Sequence, residues 1–195
     1  MKIFQLQSVS EQQESESKSQ PSLAHSVLYG SLSFAAVSLL AYSIWAFRLV
    51  RGTGPMYAAI AIVYIGLSGL ALNRLVHAPK SWIRFPSFFA LAFLVYAVFW
   101  CLFWFGLKGK FHGDLYGSAL GLAAMTWMFM KAFGKKSDFL HLFAVLFLFH
   151  TLGYYLGDEL NTLASGKAGR LLWGAAHGLG FGAGLGYLIH KCQQR

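Results

Sequence analysis

The sequence predicts an all-α protein, a polytopic membrane helix bundle of about six transmembrane helices. Three observations carry this. The chain is 56% hydrophobic and only 12% charged, about half the charge found in soluble chains, so too few polar side chains exist to coat a water-facing surface. Its apolar residues gather into six stretches, roughly 23–47, 55–73, 85–107, 115–130, 139–157 and 171–190. Most approach the ~20 residues that a helix needs to cross a ~30 Å hydrocarbon core. The stretches are also apolar on every side, whereas a barrel strand would show about ten residues alternating between apolar and polar. A helix satisfies its own backbone polar groups in lipid, which suits a run of this kind.

Residues 1–22 are rich in Gln, Ser and Glu and lack core-forming apolar residues. They read as a disordered polar tail. No apolar stretch follows a basic start there, so the first span is expected to serve as an uncleaved targeting signal. The transmembrane domain then covers 23–190, and 191–195 form a short C-terminal tail. The fourth stretch is the shortest and reaches a spanning length only with Gly113 and Phe133 included. Trp82, between Lys80 and Arg84, suits an anchor at headgroup level.

The connecting segments are expected at 48–54, 74–84, 108–114, 131–138 and 158–170, and they hold most of the net charge of +9. These basic residues form short clusters between apolar runs, not a stripe with interleaved aromatics. They read as topological flanks and contacts with anionic lipid, and no nucleic-acid partner is expected. With six spans, ten Lys/Arg fall on the side of both termini and six on the other. The excess predicts both termini in the cytoplasm of a plasma (inner) membrane protein. Cys101 and Cys192 fall towards opposite sides and are not expected to pair.

The last stretch is the most patterned. Gly174, Gly178, Gly182 and Gly186 recur every four residues, with Gly180 and Gly184 offset by two. Positions four apart share a helix face, and small residues there let another helix approach backbone to backbone. The expected partners are Gly153 and Gly157 on the fifth span, Gly117 and Gly121 on the fourth, or another copy of the chain. Phe181 and Ala183, on other faces, are expected to tolerate change.

Seven histidines are present. His77 and His112 read as solvated loop residues, and His25, His141 and His190 as interfacial. His150 and His177 differ, since both lie ~10–12 Å below the same boundary, on consecutive antiparallel helices. Ionisable groups at such depth mark functional sites by default. The plain alternative is one interhelical hydrogen bond each, with Tyr154, Thr151 or Ser118 as partner. Functional forms include a bis-histidine haem, a proton relay, and a divalent metal with Asp158 as a strained third ligand.

Gly66-Leu67-Ser68-Gly69 has the GxSG pattern of rhomboid intramembrane proteases. Ala176-His177, with Gly180 and Gly184, is similar to the AHxxGxxxG stretch of their catalytic-histidine helix. That resemblance implies a Ser68–His177 dyad in hydrogen-bond contact. The rise per residue instead separates the two by about 10 Å along the membrane normal, and Ser68 sits on the second span rather than two helices before the histidine. His177-Gly178-Leu179-Gly180-Phe181 also resembles a His-Gly helix motif of nickel permeases, although their His/Asp-rich first-helix motif is absent. No Walker loop, CxxC pair, HExxH or EF-hand pattern occurs. The segment 166–170 precedes a helix N-terminus and reads as basic flanking ahead of the last helix, with a bound anion such as a lipid phosphate as the alternative.

Two functions remain open on this reading. One is a small integral membrane protein with a His150/His177 site that binds a cofactor or ion or relays protons. The other is a structural or assembly subunit, docked on a membrane partner or a second copy through its glycine-striped last helix.

Overall fold

The first helix begins where the polar tail gives way. Ser22 caps it, its side-chain oxygen accepting a hydrogen bond from the His25 backbone N–H at 3.1 Å. The computed structural model describes residues 21–77 and 81–194, so the tail expected at 1–22 lies almost wholly outside the described residues. Among the described residues the chain is all-α, with six long helices: α1 (Leu23–Ala46), α2 (Thr53–Leu72), α3 (Ser81–Gly106), α4 (Gly113–Phe133), α5 (Phe139–Ala164) and α6 (Gly166–Gln193). A single 3₁₀ turn, Asn73–Leu75, extends α2.

Four of these, α1, α2 with its terminal turn, α3 and α5, are long and apolar enough to cross a membrane. They mark the chain as a membrane protein. Their outward faces carry bare apolar side chains such as Leu32, Ile62, Leu102 and Leu152, each more than half exposed, a surface that water does not tolerate over a large area. The other two helices, α4 and α6, are also long, at 21 and 28 residues. Their composition is less apolar because small and polar residues fill their buried faces: Gly117, Ser118, Gly121 and Thr126 on α4, and the glycines on α6.

Fifteen residues of α6 are buried, which makes it the axis of the bundle. Two different glycine rows serve two neighbours. Gly174, Gly178, Gly182 and Gly186 lie against α1 at Tyr42, Ala35 with Ser38, Gly30 with Phe34, and Ser26. A Cβ at Gly178 would fall 2.6 Å from Ala35 Cα, so only glycine allows this approach. Gly180 and Gly184 lie against α5 at Gly153 and Leu146, and Gly157 meets Trp173. The glycines of α4 face α3 instead, Gly117 at Trp100 and Gly121 at Tyr96. The main row therefore packs on α1, which was not among the expected partners. Phe181 and Ala183 are buried too, Phe181 fully, because α6 is enclosed on more than one face.

Consecutive helices pack antiparallel, as do α1 and α6, so the α1–α2, α3–α4 and α5–α6 connections share one end, the upper end. The α2–α3 and α4–α5 connections and the C-terminus share the lower end. The expected loop at 158–170 is absent: α5 continues to Ala164 and α6 starts at Gly166. Only Ser165 interrupts them, with a positive φ of 49° followed by Gly166 at 58°. Asp158, Glu159 and Lys167 sit on helical turns that carry the hairpin past its apolar stretch. The 166–170 segment is thus the first turn of α6, and its Gly169 packs on Asn161.

The lower half is filled by aromatic side chains. Phe85, Phe89 and Phe129 are fully buried, and Phe88 packs edge-on to Phe129 at 5.0 Å between ring centroids. At the lower rim the Gln193 side chain accepts from the His77 backbone N–H and donates to Leu75 O, each at 2.9 Å, tying α6 to the α2–α3 connection. His190 is buried there rather than interfacial, between Ser26 Oγ and the Gln194 side chain. His77 is half-buried rather than solvated.

Candidate functional site

In the upper half the packing opens into a chamber of about 160 Å³. Five helices supply its wall, and their tyrosines and tryptophans dominate it. Tyr42 and Trp45 come from α1, Tyr57 and Tyr64 from α2, Tyr96 and Trp100 from α3, Tyr154 from α5 and Trp173 from α6. Ala61 and Ala97 leave the space that larger side chains would fill, and Cys101 and His177 complete the polar edge. Among the described residues no carboxylate or ammonium group lines it.

His177, on α6, lines the lower side of this chamber, and His150, on α5, lies behind it. Their rings meet edge to face, 5.1 Å between centroids. His150 Nε2 is hydrogen-bonded to Tyr96 Oη at 2.7 Å, and His177 Nδ1 lies 3.4 Å from Tyr42 Oη. The remaining ring nitrogens, His150 Nδ1 and His177 Nε2, are buried without a hydrogen-bond partner, as is Trp173 Nε1. A buried polar atom left unpaired costs ~1–3 kcal/mol; two of these atoms belong to chamber-lining residues, His177 and Trp173, while His150 lies behind the wall.

The partners are not those anticipated. Tyr154 stacks on the His150 ring at 6.2 Å instead of accepting its hydrogen bond, and Thr151 Oγ1 is itself buried and unpaired. Tyr96 and Tyr42 take those roles from α3 and α1, helices distant in sequence. The available signal was the set of tyrosines in the upper halves of α1, α2, α3 and α5, but each alone reads as an interfacial anchor.

A haem does not fit between the histidines. Iron with two axial imidazoles needs the ring nitrogens on opposite sides of a porphyrin plane. Here the Phe181 ring packs on both, 4.8 Å from His150 and 5.8 Å from His177, and Tyr154 covers them from above. A catalytic metal lacks its third ligand: among the described residues no three His, Cys, Asp or Glu side chains converge, and Asp158 is exposed two turns away. The Ser–His dyad is absent as well. Ser68 is fully buried with its Oγ unpaired, while Gly69 beside it packs on Pro86 at the lower end of α3.

Below the histidines the path is closed. Phe181 contacts Phe34 at 5.0 Å and Phe93 at 6.3 Å, and Phe93 stacks on Phe89 at 6.1 Å. These rings seal the chamber from the lower end. No protein family, curated protein or solved structure matches the chain.

Proposed function

We propose that this is a six-span membrane protein that binds a small ring-sized organic molecule in the upper aromatic chamber bordered by His177. The single observation that carries this is a preformed cavity walled by aromatic rings whose bordering polar atoms are unpaired. Binding pockets are concave, mostly apolar and furnished with a few fixed polar groups. A cavity of about 150 Å³ holds a benzene ring, which matches the 160 Å³ available here. His150 supports the site from behind, bonded to Tyr96 and packed against His177. The phenylalanine layer below favours a binding site open to one side over a proton path through the bundle.

The assembly-subunit reading has less support. From Gly169 onward every glycine of α6 already meets α1, α5 or Asn161, so no glycine row is left for a partner helix.

The test is saturable binding. In nanodiscs, a ¹⁹F NMR titration with 4-fluorobenzyl alcohol and 4-fluorobenzoate should give saturable line broadening for at least one probe. The Ala97→Phe variant, whose new ring fills the chamber, should lose it at least tenfold while keeping its thermal stability. Broadening that never saturates, or that is equal in the filled variant, overturns the reading.

The orientation follows from the Lys/Arg excess: the lower end and both termini face the cytoplasm of the plasma (inner) membrane. After replacement of Cys101 and Cys192 by serine, a cysteine at Ser137 should react with an impermeant maleimide only from the cytoplasmic side. One at Ser165 should react only from outside. Both positions are exposed. Labelling of both from one side would overturn the six-span arrangement.

A further inference from the structure

Above the chamber, the first turns of α6 set a cation against Trp45, one of its wall rings. The Arg170 guanidinium stacks 4.8 Å above the Trp45 ring, and one of its N–H groups donates to Trp45 O at 3.1 Å. That bond caps the end of α1, a sufficient structural role for one N–H. An arginine carries five such donors, and among the described residues no carboxylate pairs with this one. Arg170 is half-buried and lies one helical turn above Trp173.

Trp173 and His177 continue the same row downwards. Trp173 Nε1 can only donate, and it is buried with no acceptor. His177 is 93% buried, its relative exposure being 7%, and its Nε2 is unpaired. Unused donors of Arg170 and Trp173 therefore lie beside an apolar, ring-lined space. At the upper end, Arg48, Arg51, Lys108, Lys110, Lys167 and Arg170 outnumber Asp114, Asp158 and Glu159, a field that draws anions and repels cations. An aromatic cage of this kind would otherwise suit a quaternary ammonium ligand, but the cation stacked on Trp45 and the field around the upper end oppose one.

Resting on the binding role proposed above, we infer that the ligand is a small carboxylic acid bound as its anion. Its ring or short apolar body fills the chamber, and its carboxylate reaches the Arg170 guanidinium beside Trp45. A charge-assisted bond to a guanidinium is the strong kind, and its loss costs on the order of tenfold or more in affinity.

The experiment compares three probes of one shape in nanodiscs of neutral lipid: 4-fluorobenzoate, 4-fluorobenzyl alcohol and 4-fluorobenzyltrimethylammonium, each read by ¹⁹F NMR against the Ala97→Phe variant. In the unaltered protein 4-fluorobenzoate should bind at least tenfold more tightly than the alcohol, and the ammonium should be weakest. Arg170→Gln, which keeps a side-chain donor for Trp45 O, should weaken 4-fluorobenzoate at least tenfold and leave the alcohol within about threefold. Equal affinity of the unaltered protein for benzoate and alcohol overturns the anion assignment and leaves the chamber as the binding site, and that comparison needs no variant. Preference for the ammonium overturns it too. Absence of saturable binding by every probe removes both the chamber reading and this one.

Discussion

Gly182→Leu should leave no folded bundle. Gly182 faces the backbone of Gly30 and the Phe34 side chain, and even a methyl group there would collide with the Gly30 carbonyl oxygen. Overpacking of a core costs ~1–3 kcal/mol when side chains can shift. Here the obstacle is backbone, so α1 and α6 must separate, and with them the contact that unites the two ends of the chain. The expected result is loss of monodisperse protein in detergent gel filtration. Gly178→Leu should behave alike, since its added atoms meet Ala35 Cα and Ser38 Cβ, each at 2.6 Å. Leu179→Ala, on the outward face and 41% exposed, is the control and should elute normally. Normal elution of Gly182→Leu would mean that α1 and α6 are not packed as described.

Phe181→Ala should be the most damaging truncation that still permits folding. The ring is fully buried and touches Phe34, Phe93, Tyr96, His150 and His177. Removing a buried phenylalanine from a soluble core costs about 3–5 kcal/mol. With lipid as the outer solvent the transfer part of that cost falls away and the packing part stays, leaving about 2 kcal/mol. The loss should appear as a lowered Tm in nanodiscs. Phe149→Ala, whose ring is 36% exposed, should cost far less. Equal Tm values for the two would show that Phe181 does not support the histidine layer.

Much of the fold can be read from residue order alone. Six apolar runs mark six helices because a lipid-facing helix needs a continuous apolar surface. Their ends are harder. Asp158, Glu159 and Asn161 resemble a loop, yet Glu, Leu and Ala around them are good helix formers, and nothing at the interface forces the helix to stop before Ser165. The depth of His150 and His177 is also legible, since rise per residue measures it from a shared turn. The chamber is not, because Tyr42, Tyr64, Tyr96 and Trp173 come together only through the order in which helices pack. The same holds for Gly30: a lone glycine in α1 carries no sign that it meets Gly182.

The axial position of α6 bears on how the protein is made. Chains are synthesised from the N-terminus, and earlier segments begin to fold first. Here the helix that organises all the others leaves the ribosome after them. Until then α1 must wait in the bilayer with its Gly30 groove unfilled, and α5 with its Gly153 groove likewise. The short turn at Ser165 then delivers α6 directly alongside α5, so docking against α1 becomes the closing step of biogenesis. Ribosomes stalled before Gly166 would hold α1 through α5 without the helix that joins α1 to α5, a nascent state open to capture by a membrane chaperone or to degradation.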